Sequence, residues 1–229
     1  MTIVVAHRGA SGAAPENTLE AFSLAGKLGA DWVELDVRRS ADDVLVVHHD
    51  AHTADGRIVA RTPAAELGDD VPTLAEAFEA AAGMGVNVEI KNDPADPDYD
   101  EKHQISVAVA GLIAAYRPYD EALVSSFNVE TLNRIRAIDD RLATVVLFYD
   151  PVSAPQWVAR AAGLGHSGIY PYFGLVGPGL VSTAHAAGLT VGAWTVNDEA
   201  TMAELVALGV DALITDHPDI ARRVVDEAR

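Results

Sequence analysis

Gly29 leads through Ala30-Asp31 into Trp32-Val33-Glu34-Leu35-Asp36, so that a helix-like amphipathic stretch ends at a glycine and is followed by a short apolar run closing on an acid. The same grammar recurs at Gly85 into Val86-Asn87-Val88-Glu89-Ile90-Lys91, at Gly165 into Gly168-Ile169-Tyr170, at Gly188 into Val191-Gly192-Ala193-Trp194, and at Gly209 into Ala212-Leu213-Ile214-Thr215. A glycine just past a helix takes the left-handed conformation cheaply, and a run rich in Val and Ile after it is a strand. Ile3 to Ala6, Ala122 to Ser126 and Ala143 to Phe148 are three further apolar runs, each followed by a helix start. Asn17 with Glu20 and Thr73 with Glu76 have capping-box spacing, and Pro218 stands where a first-turn proline is tolerated. Alternating strands and helices specify a parallel sheet, and eight such units in this length specify an α/β (β/α)8 TIM barrel. An open doubly wound sheet is the weaker alternative, because no G-x-G-x-x-G or phosphate-loop motif follows any strand.

The 229 residues are 49% hydrophobic, enough for a packed core, and barrels of roughly 200 to 250 residues are usually one unit. A single domain over 1–229 is therefore expected, with a short insertion after the second strand region, residues 50–72. That segment fits neither helix nor strand period, carries the turn signal Asp55-Gly56, and in a barrel would overhang the active site. Acidic residues number 34 against 16 Lys and Arg, and the resulting charge of −18 repels phosphate backbones, so nucleic-acid binding is excluded as a function class. Without cysteine there is no thiolate nucleophile, and any metal must be held by oxygen or imidazole. Met1-Thr2-Ile3-Val4-Val5-Ala6-His7 turns polar too soon for a signal peptide or membrane span, which points to the cytoplasm and to no membrane span.

Glu34 and Asp36 are two apart on one strand and leave the same face; Glu89 and Lys91 repeat the spacing on the next barrel strand. Carboxylates among buried apolar residues are costly unless paired or bound to a cation. Glu34, Asp36 and Glu89 together make an oxygen-rich site suited to Mg2+ or Ca2+, against the alternative of three separate surface charges. His7 ends the first strand beside Arg8, and His48-His49-Asp50 follow the β-like run Val44 to Val47. Two histidines at consecutive strand ends fit acid and base chemistry on an anion, although either alone could be structural. Arg8 offers a forked donor for phosphate and Lys91 a point charge, a salt bridge being the plainer role for that lysine. Trp194, in Trp194-Thr195-Val196-Asn197 closing the seventh barrel strand, could wall an apolar part of a substrate. Ser11, Ser125 and Ser126 lie in no G-x-S-x-G elbow.

His7-Arg8-Gly9, Ala14-Pro15-Glu16-Asn17-Thr18, Glu34-Leu35-Asp36-Val37, His49-Asp50, Val88-Glu89-Ile90-Lys91, Ser126-Phe127, Trp194-Thr195-Val196-Asn197 and Thr215-Asp216, in this order over nearly the whole chain, resemble the glycerophosphodiester phosphodiesterase family. The resemblance implies a metal-dependent barrel hydrolase that cuts glycerophosphodiesters, its small-molecule substrates, into glycerol 3-phosphate and an alcohol. It implies His7 and His49 as the acid and base pair and Glu34, Asp36 and Glu89 as ligands of Mg2+ or Ca2+. It further implies Arg8 and Lys91 as phosphate contacts, Trp194 as the wall against glycerol, and a supporting role for Asn17. The chain departs from the family pattern at Ala51-His52-Thr53-Ala54-Asp55, where a leucine and a basic, hydroxyl-rich stretch are usual. With no cysteine, serine elbow or third catalytic histidine to serve as a covalent nucleophile, the glycerol 2-hydroxyl is expected to attack phosphorus and form a cyclic phosphate. The competing readings are a related barrel phosphodiesterase acting on lysophospholipid or sphingomyelin, a metal-dependent barrel lyase, and a non-enzymatic binder.

Overall fold

Ile3–Ala6 (β1) runs between both ends of the sheet, with Trp32–Arg39 (β2) on one side and Ala212–Thr215 (β9) on the other. The computed structural model describes residues 1–150 and 154–228; positions 151–153 and 229, inside the expected 1–229 unit, lie outside the described residues. Between those flanks come Leu45–Val47 (β3), Gly85–Ile90 (β4), Ala122–Ser126 (β5), Ala143–Phe148 (β6), Gly168–Pro171 (β7) and Thr190–Ala193 (β8). All of these but β3 pair in parallel around the ring β1-β2-β4-β5-β6-β7-β8-β9, which closes on β1. Each ring strand is followed by a helix: Leu19–Lys27 (α1), Leu74–Ala80 (α2), Gln104–Tyr116 (α3), Val129–Ile138 (α4), Ala154–Leu164 (α5), Pro178–Ala186 (α6), Glu199–Leu208 (α7) and Pro218–Glu227 (α8). This is the (β/α)8 barrel expected from the sequence, with β3 as an addition.

The additional strand β3 corrects the placement of His49 in the fold. β2 continues past Asp36 to Arg39, turns at Ser40–Val44, and β3 returns antiparallel on it with Val37 opposite Val47 and Arg39 opposite Leu45. His49 therefore hangs from a descending hairpin arm, not from the end of a second barrel strand. Residues 50–72 hold two 3-10 turns, Val59–Arg61 and Ala64–Glu66, and a bridge between His52 and Ile58. Val59 and Leu67 pack with Val46 of β3 in a small separate cluster, so most of the insertion buttresses the hairpin.

Local chemistry accounts for the helix starts. Thr73 and Glu76 close the expected capping box on α2, and Pro218 occupies the first turn of α8. For α1 the cap is Thr18, whose hydroxyl accepts from the Ala21 N–H, and Asn17 is freed for another task. The helices bury their apolar faces on the outside of the sheet in the main core. A second cluster of Val5, Leu123, Val145, Leu147, Tyr170, Ala212 and Ile214 fills the barrel itself.

Inside the ring, bulky residues sit where a neighbouring strand has no side chain. The Trp32 indole covers Gly85, its register partner on β4, and the Tyr170 ring covers Gly192. A Cβ on Gly192 would come within 2.8 Å of that ring, and overpacking of this kind costs about 1–3 kcal/mol. Gly192→Ala is thus expected to lower Tm by several degrees, at ~2–4 °C per kcal/mol for a chain of this size. An unchanged melting curve would show that the Tyr170 ring is not held by this contact.

Candidate active site

The C-terminal ends of the ring strands carry the polar residues, as barrel topology requires of a functional face. Glu34 and Asp36 rise from β2 and Glu89 from β4, and an oxygen from each lies within 4.8 Å of the others. Glu34 and Asp36 are buried. Asp36 is the best neutralised: Lys91 Nζ lies 3.6 Å from Oδ1, Arg8 Nε 3.2 Å from Oδ2, and Asn17 Nδ2 donates to Oδ2 at 2.8 Å. Burial works against its charge, but Lys91 and Arg8 outweigh it and hold the carboxyl below its ordinary range. Glu34 fares differently. Burial and the adjacent Asp36 charge push its carboxyl up to about 8, with His7 only partly opposing them. Three hard oxygen donors with too little positive charge among them fit a divalent cation.

Each remaining residue singled out in the sequence reaches this mouth or supports it. Lys91, the first residue past β4, donates to Glu89 Oε1 at 2.8 Å and also lines the cavity, so it serves as salt-bridge partner and accessible cation together. Arg8 takes a left-handed conformation, φ 55, from which its N–H donates to Glu34 and its guanidinium reaches Glu16 and Asp36. Asn17 is likewise left-handed, φ 58, and brackets Asp36 by accepting from its N–H while donating to its carboxylate. Such conformations cost energy and persist where the surroundings over-determine them. Trp194 follows β8, donates from Nε1 to the Tyr170 carbonyl, and stands edge-on to Phe127 at 5.5 Å. Ser11 bonds the His7 carbonyl and Asp216, Ser126 bonds the Ile90 carbonyl, and the hydroxyl of Ser125, a fully buried residue, hydrogen-bonds no group among the described residues.

The two histidines are each oriented by a carboxylate. His7 Nδ1 donates to Asp216 Oδ1 at 2.7 Å, and His49 Nδ1 donates to Asp50 Oδ1 at 2.7 Å, which turns each Nε2 away from its carboxylate partner. Burial opposes charge on His7, yet the bond to Asp216 and the nearby Glu34 raise its pKa above the ordinary value. Asp216 is correspondingly pulled down to about 2, burial being outweighed by its bonds to His7, Asn197 and Ser11. His48 instead donates to the Asp50 carbonyl at 2.8 Å and shapes the turn that presents His49. The sequence reading assigned no role to Asp216 or to Arg38. Arg38, 3% exposed, donates from Nε and Nη2 to the His49 carbonyl and is gripped by Asp96 and Asp98, so it fixes the backbone that carries the histidine. Its position in β2, two residues past Asp36, was the available signal.

His7, Arg8, Glu34, His49, Glu89 and Lys91 line a cavity of about 160 Å3 whose apolar wall is Phe127, Leu147, Tyr170, Trp194 and Ile214. A wider cleft of about 690 Å3 adjoins it across His49, Glu89, Lys91 and Phe127, and of the 50–72 insertion only Asp50 and Ala51 line either space. The insertion thus borders the site without overhanging it. No helix among the described residues is long and apolar enough to cross a membrane.

The family model for the glycerophosphoryl diester phosphodiesterase family matches residues 7–220. The chain is 31% identical to a glycerophosphodiester phosphodiesterase of Caldanaerobacter subterraneus, over 95% of each chain. It is 31% identical to one of Bacillus altitudinis over the full length of both. A phosphodiesterase of Oleispira antarctica, solved with its product sn-glycerol-3-phosphate, is 33% identical with a TM-score of 0.89, over 99% of this chain and 97% of that one.

Binding of a divalent cation by the acidic cluster would stabilise the fold by mass action, about 2.7 kcal/mol at a hundred times Kd. At ~2–4 °C per kcal/mol, Tm is expected to rise by about 5–10 °C. Glu34→Gln, which is of nearly equal size and still offers an oxygen to the Arg8 N–H but removes one charged ligand, is expected to abolish most of that rise. An equal rise in the variant would place the cation elsewhere.

Proposed function

Because the chain belongs to the glycerophosphoryl diester phosphodiesterase family, we propose that it hydrolyses glycerophosphodiesters to glycerol 3-phosphate and an alcohol. The observation that carries this reading is the convergence, on one cavity, of two carboxylate-oriented histidines, an Arg–Lys pair, and Glu34 and Glu89 of a three-carboxylate cluster whose third member, Asp36, is buried beside them. Mg2+ or Ca2+ held by Glu34, Asp36 and Glu89 would supply Lewis-acid polarisation of a phosphoryl oxygen. Arg8 and Lys91 bind the phosphate oxygens, and Trp194 packs against the glycerol carbons.

The attacking group in this reading is the substrate's own 2-hydroxyl, since no side chain of the cavity is an activated nucleophile. Holding that hydroxyl beside phosphorus makes the step intramolecular, an advantage that reaches roughly 7–11 kcal/mol in good geometry. His7, whose pKa is raised by Asp216 and Glu34, enters protonated and gives its proton to the leaving alcohol. His49, at the rim and turned by Asp50, removes the proton of the 2-hydroxyl. Water then opens the cyclic phosphate with the two roles exchanged. The short hairpin that carries His49 leaves the leaving-alcohol side open as the wide cleft.

A panel of glycerophosphodiesters, assayed for released alcohol and glycerol 3-phosphate with and without chelator, tests the activity. Turnover should need the cation, and full activity in chelated enzyme would overturn the metal assignment. Replacing His7 or His49 with Ala should each cost about 10²- to 10⁴-fold. The acid must be protonated, so activity falls as pH rises through the pKa of His7. Asp216→Asn removes a group that raises that pKa and should move the alkaline limb of the kcat/KM profile to lower pH. An unmoved limb would take His7 out of the acid role. A phosphodiester of propane-1,3-diol, which lacks the 2-hydroxyl, should be inert; hydrolysis at the natural rate would mean that water attacks directly.

A further inference from the structure

Asn87 lies on β4 one inward position below Glu89, between Glu34 on β2 and Leu123 on β5 in the strand register. It is 2% exposed, it lines the 160 Å3 cavity, and its amide oxygen is buried without a partner among the described residues. A buried amide left unbonded opposes folding, and native proteins keep few of them. An apolar residue would fit the neighbourhood of Leu123, Leu147 and Ile214 at no such cost, and an acid would add a fourth charge to the cluster above. The cavity is also several times the ~30 Å3 that one water occupies in the liquid, so the amide faces room for a ligand of several atoms.

Resting on the function proposed above, we infer that Asn87 is a specificity-determining residue that hydrogen-bonds the terminal hydroxyl of the substrate's glycerol, the one remote from phosphorus. Arg8, Lys91 and the histidines hold the phosphate end at the mouth. Asn87 sits two strand residues deeper than Glu89, about 6–7 Å along the strand, a span that an extended three-carbon ester bridges. An amide both donates and accepts, and so does a hydroxyl. The carboxylates of the mouth only accept, and beside Asn87 the cavity wall is Leu147, Ile214 and the aromatic Phe127, Tyr170 and Trp194, with Thr195 two residues past the end of β8. A terminal hydroxyl at the depth of Asn87 finds its match in that buried, unpartnered amide. A site built to bond a hydroxyl rejects the analogue that lacks it.

The experiment compares kcat/KM for the ethanolamine diester of glycerol 3-phosphate with that for the ethanolamine diester of propane-1,2-diol 1-phosphate. The second keeps the hydroxyl next to the ester and lacks only the terminal one. The wild type is expected to prefer the glycerol diester by about tenfold or more. Asn87→Leu, of similar volume, should bring the ratio close to one, chiefly through a higher KM for the glycerol diester, with the cation-induced rise in Tm retained; Asn87→Ala serves if the leucine variant does not fold. A wild type without preference, or a variant that loses activity on both diesters with the ratio unmoved, overturns the inference while leaving the phosphodiesterase reading in place. A wild type that cleaves neither diester overturns both.

Discussion

Like charges brought together out of water repel, and at the mouth of this barrel Glu34, Asp36 and Glu89 bring oxygens within 4.8 Å of one another. Much of the surrounding structure answers that repulsion. Arg8 and Asn17 adopt left-handed backbones to aim donors at Asp36, and Lys91 spans Asp36 and Glu89. The compensation stops at Glu34, where burial and Asp36 leave the carboxyl with a raised pKa. The unbalanced charge is what makes the cluster suited to a divalent cation, the Lewis acid of the function proposed above.

The two histidines are placed by different parts of the fold. His7 depends on closure of the ring: β9 lies beside β1, so Asp216 from the far end of the chain reaches an imidazole 209 residues away. His49 depends on an irregularity. The β2–β3 hairpin climbs above the ring and descends again, and Arg38 clamps the His49 carbonyl from within β2 while Asp96 and Asp98 anchor the guanidinium. The two histidines proposed as the acid-base pair therefore sit one on the ring of the barrel and one on an appended arm.

The barrel interior shows how a small ring can hold both a core and a pocket. At the lower end Trp32 over Gly85, and beside the cavity Tyr170 over Gly192, fill the space by pairing a large side chain with none. Higher up, the inward positions of β2 and β4 turn polar, and packing gives way to the cavity floored by Asn87. The switch occurs along single strands, from Trp32 to Glu34 and Asp36, and from Gly85 to Asn87 and Glu89. Alternation of side chains across a strand makes this possible, because the outward positions Val33, Leu35, Val86 and Val88 go on packing against helices.

Local patterns determined the repeated strand and helix units, the capping box at Thr73 and the shared face of Glu34 and Asp36. Periodicity and residue spacing along one element carry that information directly. The order of motifs likewise pointed to the family. Contacts between distant segments decided the rest. Asn17 has the spacing of a helix cap, yet it brackets Asp36, because the loop after β1 folds over the end of β2. Asp216 stands in a motif and Arg38 at an inward position of β2, but neither position reveals its partner, since their contacts exist only once β9 meets β1 and β3 returns along β2. The unpartnered amide of Asn87 is invisible in Val86-Asn87-Val88-Glu89 for the same reason. Which polar groups find partners is settled by the three-dimensional neighbourhood of a side chain, and a linear sequence does not contain it.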